Sequence, residues 1–163
     1  MSTLVPMKYG EDSLIELRAF VLADREVLIR AINIVCAEGR WMRTLCYEPT
    51  PAWEHALAEP DCKCHLLLVA MDEEKIVGWC RAFPDEGGQG AEIALALLLG
   101  HRGHGIGQDM LESTVKWAIK LCLTHLRLWT RLDNKRAIRL FQTLEFGQTD
   151  RFENEMLEMI RIL

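Results

Sequence analysis

The sequence predicts an α+β (mixed α/β) fold: a mixed, mainly antiparallel sheet of about six or seven strands with helices on both faces. Three observations predict it. Helical periods of three and four recur at Val27, Leu28, Ala31, Ile32 and Val35, and again at Ala137, Ile138, Phe141 and Leu144. Two pairs of short apolar runs, 65–71 with 76–83 and 146–152 with 156–163, are each joined by a polar turn, as in antiparallel hairpins. Between them, 91–120 reads as strand, glycine-rich turn and helix. A right-handed crossover then makes the next strand, 125–131, parallel to strand 92–99.

In chain order, residues 1–13 read as a loose start. Leu14 to Phe20 is a first strand. Asp24 stands where an N-cap is expected, and Gly39 where the following helix ends. Residues 40–60 are irregular and aromatic, with Trp41, Tyr47 and Trp53. Within them Thr50-Pro51 reads as a cap and an N1 proline opening a short helix. Met71 to Lys75 is the first hairpin turn, and Pro84 to Gly90 a glycine-rich loop. Ile93 to Leu99 is an apolar run too short for a membrane span and suited to a buried strand. After the glycines, Ile106, Met110, Thr114, Trp117 and Leu121 follow a helical period. Asn134 can cap the last helix. No repeat, linker or low-complexity segment divides the chain, so 1–163 is expected to be one domain.

Composition narrows the function classes. Half of the 163 residues are hydrophobic, which fits a packed core. The net charge of -5 argues against a general nucleic-acid binder. No run reaches membrane-spanning length, and 1–6 lack the pattern of a secretory signal, so no membrane association and a cytoplasmic location are expected. The six cysteines are scattered and are expected to be reduced there. Cys62-Lys63-Cys64-His65, with Cys46, does not follow CxxC…CxxC spacing and has no second pair, so no metal is expected.

The stretch Gly100-His101-Arg102-Gly103-His104-Gly105-Ile106-Gly107 carries the strongest chemical signal. Amides at a helix N-terminus are unpaired and lie at the positive end of the macrodipole. Three glycines remove the Cβ atoms that would hold an anion away, and Arg102 adds a permanent forked cation. The physical reading is a pocket for phosphate or pyrophosphate. Walker A fails for lack of a Lys-Ser/Thr pair. The dinucleotide pattern G-x-G-x-x-G is disfavoured because Gln108 stands where it needs glycine.

What fits is R-x-x-G-x-G over Arg102 to Gly107, and here the sequence resembles the GNAT family of N-acetyltransferases, whose acetyl-CoA pyrophosphate loop has this form. The segment 128–147 resembles the family's next motif: a strand, Asn134, the pair Ala137-Ile138, the aromatic Phe141 and Phe146-Gly147. The two motifs cover about 92–147. The resemblance implies acetyl-CoA as cosubstrate, held by Arg102, Gly103, Gly105 and Gly107, with Ile106 in the same loop. His104 is a candidate phosphate contact, and Asn134 a residue that reaches the cofactor as well as capping. The resemblance also implies that strand 92–99 splays from its parallel neighbour, freeing backbone groups at Leu97 and Leu99 for the pantetheine arm. Their side chains read as core.

The same resemblance makes Glu92 the general base, taking a proton from an amine that must be neutral to attack a thioester. It places Phe141 beside the cofactor, where the family often has a tyrosine that protonates the leaving thiolate. Phenylalanine has no proton to give. Tyr47 could replace it only if the fold brings it close. The aromatic segment 40–60 would border the acceptor cleft, and the acceptor would be a small-molecule or peptide amine. The high apolar fraction and the habit of the family suggest a homodimer. The rival reading is a non-catalytic acyl-CoA-binding or regulatory module of the same fold.

Overall fold

Side-chain alternation along the central strands decides the architecture. In the computed structural model, which describes residues 7–8 and 14–163, Leu66–Asp72 and Lys75–Pro84 pair as a hairpin buried on both faces. Leu68 and Ala70 point to one core, Leu67, Val69 and Met71 to another. Strands apolar on both sides need cover on both sides. The strands are β1 (Met7–Lys8), β2 (Leu14–Ala19), β3 (Leu66–Asp72), β4 (Lys75–Pro84), β5 (Gly90–Leu97), β6 (His125–Arg131), β7 (Gly147–Glu153) and β8 (Met156–Ile162). They form one sheet in the order β1-β2-β3-β4-β5-β6-β8-β7. Only β5 and β6 are parallel among the described pairs. This is the α+β sheet expected, with a two-residue edge strand added before β2.

Helices α3 (Ile106–Lys120) and α4 (Lys135–Thr143) cover one face, burying Ile106, Met110, Leu111, Val115 and Phe141 against β2–β8. Helices α1 (Arg25–Ala37) and α2 (Pro51–Ala58) cover the other face, but only over β2–β4, where Leu28, Ile32, Leu57 and Trp79 meet. Each such fully buried side chain contributes roughly 1.5–3 kcal/mol. The second face is therefore left open over β5, β6 and β8.

Local signals place the helix ends. Thr50 caps α2 by accepting from the Trp53 amide at 3.2 Å, with Pro51 at N1. Asn134 caps α4 through the Ala137 amide at 3.3 Å. Gly39 follows α1 with φ +66°, a left-handed residue after the helix. Asp24 differs from expectation. It stands before α1 but caps nothing there. Its carboxylate instead accepts from the Val21 amide at 2.9 Å and from both terminal nitrogens of Arg18 at 2.6 and 2.9 Å. Burial pushes its pKa up, but these hydrogen bonds outweigh it and hold the carboxyl below its ordinary range. Strand β5 also differs. It starts at Gly90 and stops at Leu97: the Leu98 amide still reaches the Val77 carbonyl of β4 at 2.8 Å, but the Leu98 carbonyl accepts from the His101 amide at 2.9 Å and closes a turn. Leu99 then opens a single 3₁₀ turn and is 73% exposed, so its side chain is not core. The loose start expected over 1–13 lies outside the described residues, apart from the short β1.

Candidate functional site

The site begins where the parallel pair comes apart. β5 and β6 are in register from Gly90↔His125 to Ile93↔Leu128, and there the ladder ends, although β5 continues to Leu97 and β6 to Arg131. Ala94 to Leu97 remain paired with β4 on the other side. A gap thus opens in the middle of the sheet, lined by main-chain groups of β5 that have no strand partner on that side.

The glycine loop stands at the end of β5. Gly103 and Gly105 have φ of +79° and +92°, left-handed values that any side chain would strain. Gly105 is the N-cap of α3 and offers no side-chain cap, so the first amides of that helix stay available. Gly107 lies inside the first turn, where a Cβ would meet Leu95, Leu97 and Leu140 at 3.5–3.8 Å. Ile106 is buried, so it can serve a ligand only through its backbone. His104 is exposed on the loop. Arg136, from the first turn of α4, brings its guanidinium to 3.2 Å from the point a Gly103 Cβ would occupy. Two separate elements therefore aim one cation and a set of amide dipoles at one spot. An anion fits this cradle.

Arg102 is placed less simply. Its Nε donates to the Leu97 carbonyl at 2.9 Å, and its Nη2 lies 2.6 Å from Glu38 Oε2 at the end of α1. It braces the turn between β5 and α3 and ties that turn to α1. Leu97 thus contributes a carbonyl already engaged by Arg102. Asn134 accepts from its own helix. Phe141 is 6% exposed, its ring 6.1 Å from that of Phe146, inside the α3–α4 core.

On the open face of the sheet lies a cleft of about 920 Å³. Its lining includes Tyr47 and Trp53 from the aromatic segment, Arg81 and Phe83 from β4, Glu92 from β5 and Trp129 from β6. Glu92 pairs with Arg127 across the ladder, one residue before the strands part, so its carboxylate stands at the mouth of the gap. Arg81 Nη2 lies 3.6 Å from Glu92 Oε1. The Arg81 guanidinium also stacks over Phe83 at 4.6 Å, and Phe83 meets Trp53 edge-on at 5.1 Å. Burial lowers the Arg81 pKa, and Glu92 offsets part of that effect. Trp129 is flanked by Arg43 at 4.7 Å and Arg151 at 5.4 Å.

Two other groups in the cleft are poorly suited to proton transfer. His125 is held at both ring nitrogens, by Asp85 at 2.7 Å and Thr124 at 2.9 Å. Tyr47 does reach the cleft, but its hydroxyl donates to Glu54 at 3.0 Å. Burial, and then that hydrogen bond, push its pKa up to about 12. A thiolate, with a conjugate pKa of roughly 8.5, is a weak taker of that proton.

The sequence marks Arg136, with Arg139, as either a phosphate contact or a solvated residue, but it does not single out Arg43, Arg81 or Trp129. Arg136 is the second residue of the helix that Asn134 caps, and the fold brings it to the cradle. Arg81 and Trp129 come from β4 and β6 and Arg43 from the irregular segment before α2, so only the tertiary fold brings the three together.

Three comparisons bear on the chain. The model of the acetyltransferase (GNAT) family matches residues 29–146. No curated protein matches closely enough to count as a relative. Among solved structures, the chain is similar to the GNAT-family acetyltransferase of Streptococcus pneumoniae, at 18% identity and a TM-score of 0.77, over 91% of this chain and 99% of that one. It is similar to the ribosomal-protein-alanine N-acetyltransferase of Brucella melitensis at 20% identity and 0.75, over 90% and 99%. It is also similar to a phosphinothricin acetyltransferase of Sinorhizobium meliloti solved in complex with acetyl-CoA, at 21% and 0.72, over 91% and 88%. At these identities the likeness is one of fold. Among the described residues no helix is long and apolar enough to cross a membrane.

Proposed function

This chain belongs to the GNAT acetyltransferase family, and on that premise we propose that it moves an acetyl group from acetyl-CoA to a primary amine of a small-molecule or peptide acceptor, directly and within a ternary complex. The observation that carries the reading is the opening of the β5–β6 ladder after Ile93 and Leu128, with the glycine cradle at one end and Glu92 at the other. Acetyl-CoA supplies the activated thioester. Gly103 to Gly107 and Arg136 hold the pyrophosphate, and the β5 backbone groups between Ala94 and Leu97 that β6 leaves without a strand partner bind the pantetheine amides. An amide of that backbone polarises the carbonyl under attack. Glu92 takes the proton from the attacking nitrogen, directly or through one water, and Arg81 fixes the carboxylate's orientation. Tyr47, Trp53 and Trp129 wall the space for the acceptor.

With Phe141 buried and hydroxyl-free, the thiolate leaves without a proton from that position. The same observation favours a second reading, a module of this fold that binds acyl-CoA without turnover. One experiment separates the two. Acetyl-CoA should raise the melting temperature by mass action while NAD(P) does not. Release of CoA thiol, measured with a panel of primary amines, should then depend on the amine added. A thermal shift without thiol release from any amine supports the binding module. No shift with acetyl-CoA contradicts both.

A further inference from the structure

The turn between α2 and β3 brings together four side chains that lie apart from the cleft chemistry. His55 comes from the last turn of α2, Cys62 and Cys64 from the loop, and His65 from the residue before β3. One ligand atom from each lies within 4.8 Å of all the others. Cys64 Sγ is 3.3 Å from His55 Nε2 and 3.5 Å from His65 Nδ1. Two ligands of one tetrahedral zinc, at about 2.3 Å for sulfur and 2.0–2.1 Å for nitrogen, stand about 3.6 Å apart. The linear sequence hides the set, because the fourth ligand precedes the C-x-C-H run and belongs to another element.

We propose that His55, Cys62, Cys64 and His65 form a Cys2His2 site for a divalent cation of the zinc class. Two soft thiolates with two imidazoles select such an ion over magnesium or calcium, which prefer oxygen. Four protein ligands close the coordination sphere, so the ion is structural and activates no water. His65 is 5% exposed, and its Nε2 has no partner among the described residues. Its Nδ1, the nitrogen 3.5 Å from Cys64 Sγ, is the one that would hold the ion. His55 and Cys64 are exposed and Cys62 half-buried, which gives the ion a path from solvent.

The site would fasten the end of α2 to the start of β3. The His65 ring stands edge-on to His55 at 5.5 Å and to Phe83 at 6.3 Å, and Phe83 packs on Trp53 in the cleft. The ion would thus set the rim of the cleft without touching its floor.

The test uses the full chain, purified without chelator, stripped, and titrated with Zn²⁺ or Co²⁺. One ion per chain is expected, with thiolate-to-metal charge transfer and the d–d bands of tetrahedral Co²⁺. Zn²⁺ should raise the melting temperature. The C62S/C64S variant should lose at least about 100-fold in affinity, since outer-sphere changes alone cost 10–100-fold. Changing the two exposed cysteines elsewhere, as C46S/C122S, should cost nothing. If C62S/C64S does not fold, thiol alkylation of the unaltered chain decides. Zn²⁺ should protect Cys62 and Cys64 while Cys46 and Cys122 still label. Absence of thiolate charge transfer, equal labelling of all four, or equal affinity in the two double variants would overturn the proposal.

Discussion

The two ends of the site recognise by different means. At the loop end, main chain does the work: left-handed Gly103 and Gly105, the amides opening α3, and the freed edge of β5. At the cleft end, side chains do it: Arg81 and Arg43 stacked on aromatic rings, and Glu92 beside Arg81. Backbone recognition constrains a local stretch, because each amide must reach one anion and each missing Cβ must be missing there. Side-chain recognition draws on residues far apart in sequence, and many combinations would build an equivalent wall. The loop end therefore suits a shared cosubstrate, and the cleft end an acceptor particular to this protein.

Glu92 stands on the border between the two ends, and its loss should give the largest effect. Glu92→Gln keeps the shape and removes the basic oxygen. It should lower kcat/KM by roughly 10²–10⁴-fold while acetyl-CoA affinity, read by calorimetry, stays unchanged. A variant with unaltered turnover at every pH would remove Glu92 from the mechanism.

Phe141 tests whether the fold's core reaches the chemistry. Because it is buried against Phe146, Phe141→Tyr should bury a hydroxyl without a partner. The cost is roughly 1–3 kcal/mol, or about 2–12 °C in melting temperature. Turnover should not rise. A faster enzyme of unchanged stability would place this position at the leaving group after all.

A matched pair of charge deletions sharpens the contrast between the ends. Arg136→Ala should weaken acetyl-CoA by about tenfold at low salt, and by less at high salt, since exposed charges are screened. Acceptor KM should not move. Arg43→Ala, beside Trp129, should raise acceptor KM several-fold and leave acetyl-CoA affinity alone. Crossed effects would mean that the two ends are one site. The smallest change expected is at Glu145, which follows α4 with φ +67°, a conformation glycine adopts freely. Glu145→Gly should relieve up to about 1 kcal/mol of strain. Loss of the ion pair between the exposed Glu145 and the largely covered Arg161, 3.1 Å long, takes back a part of that.

Legibility in the sequence follows the same division. The caps at Thr50 and Asn134, the helix stop at Gly39 and the glycine loop were readable because the physics sits within a few residues. Asp24 misled for an instructive reason. A residue of capping type was in capping position, but Arg18, six residues earlier, drew the carboxylate away. Leu99 misled because an apolar run does not reveal where a strand turns, and the turn is closed by the His101 amide on the Leu98 carbonyl. The cleft was the least readable part. Residues 40–60 follow no sheet or long-helix period, Trp53 of α2 meets its partners by packing a helix on β4, and Arg81 meets Glu92 across the β4–β5 pair. The gathering of His55 with Cys62, Cys64 and His65 is likewise a product of two elements meeting.

The proposed reaction requires that the opening between β5 and β6 hold acetyl-CoA with its thioester towards Glu92. The most direct measurement is a crystal structure of the chain soaked with acetyl-CoA. The pyrophosphate is expected against the amides of 103–107 and beside Arg136, the pantetheine arm along Ala94 to Leu97, and the acetyl group facing the Glu92 carboxylate. Acetyl-CoA bound elsewhere, with the gap between the strands left empty, would contradict it.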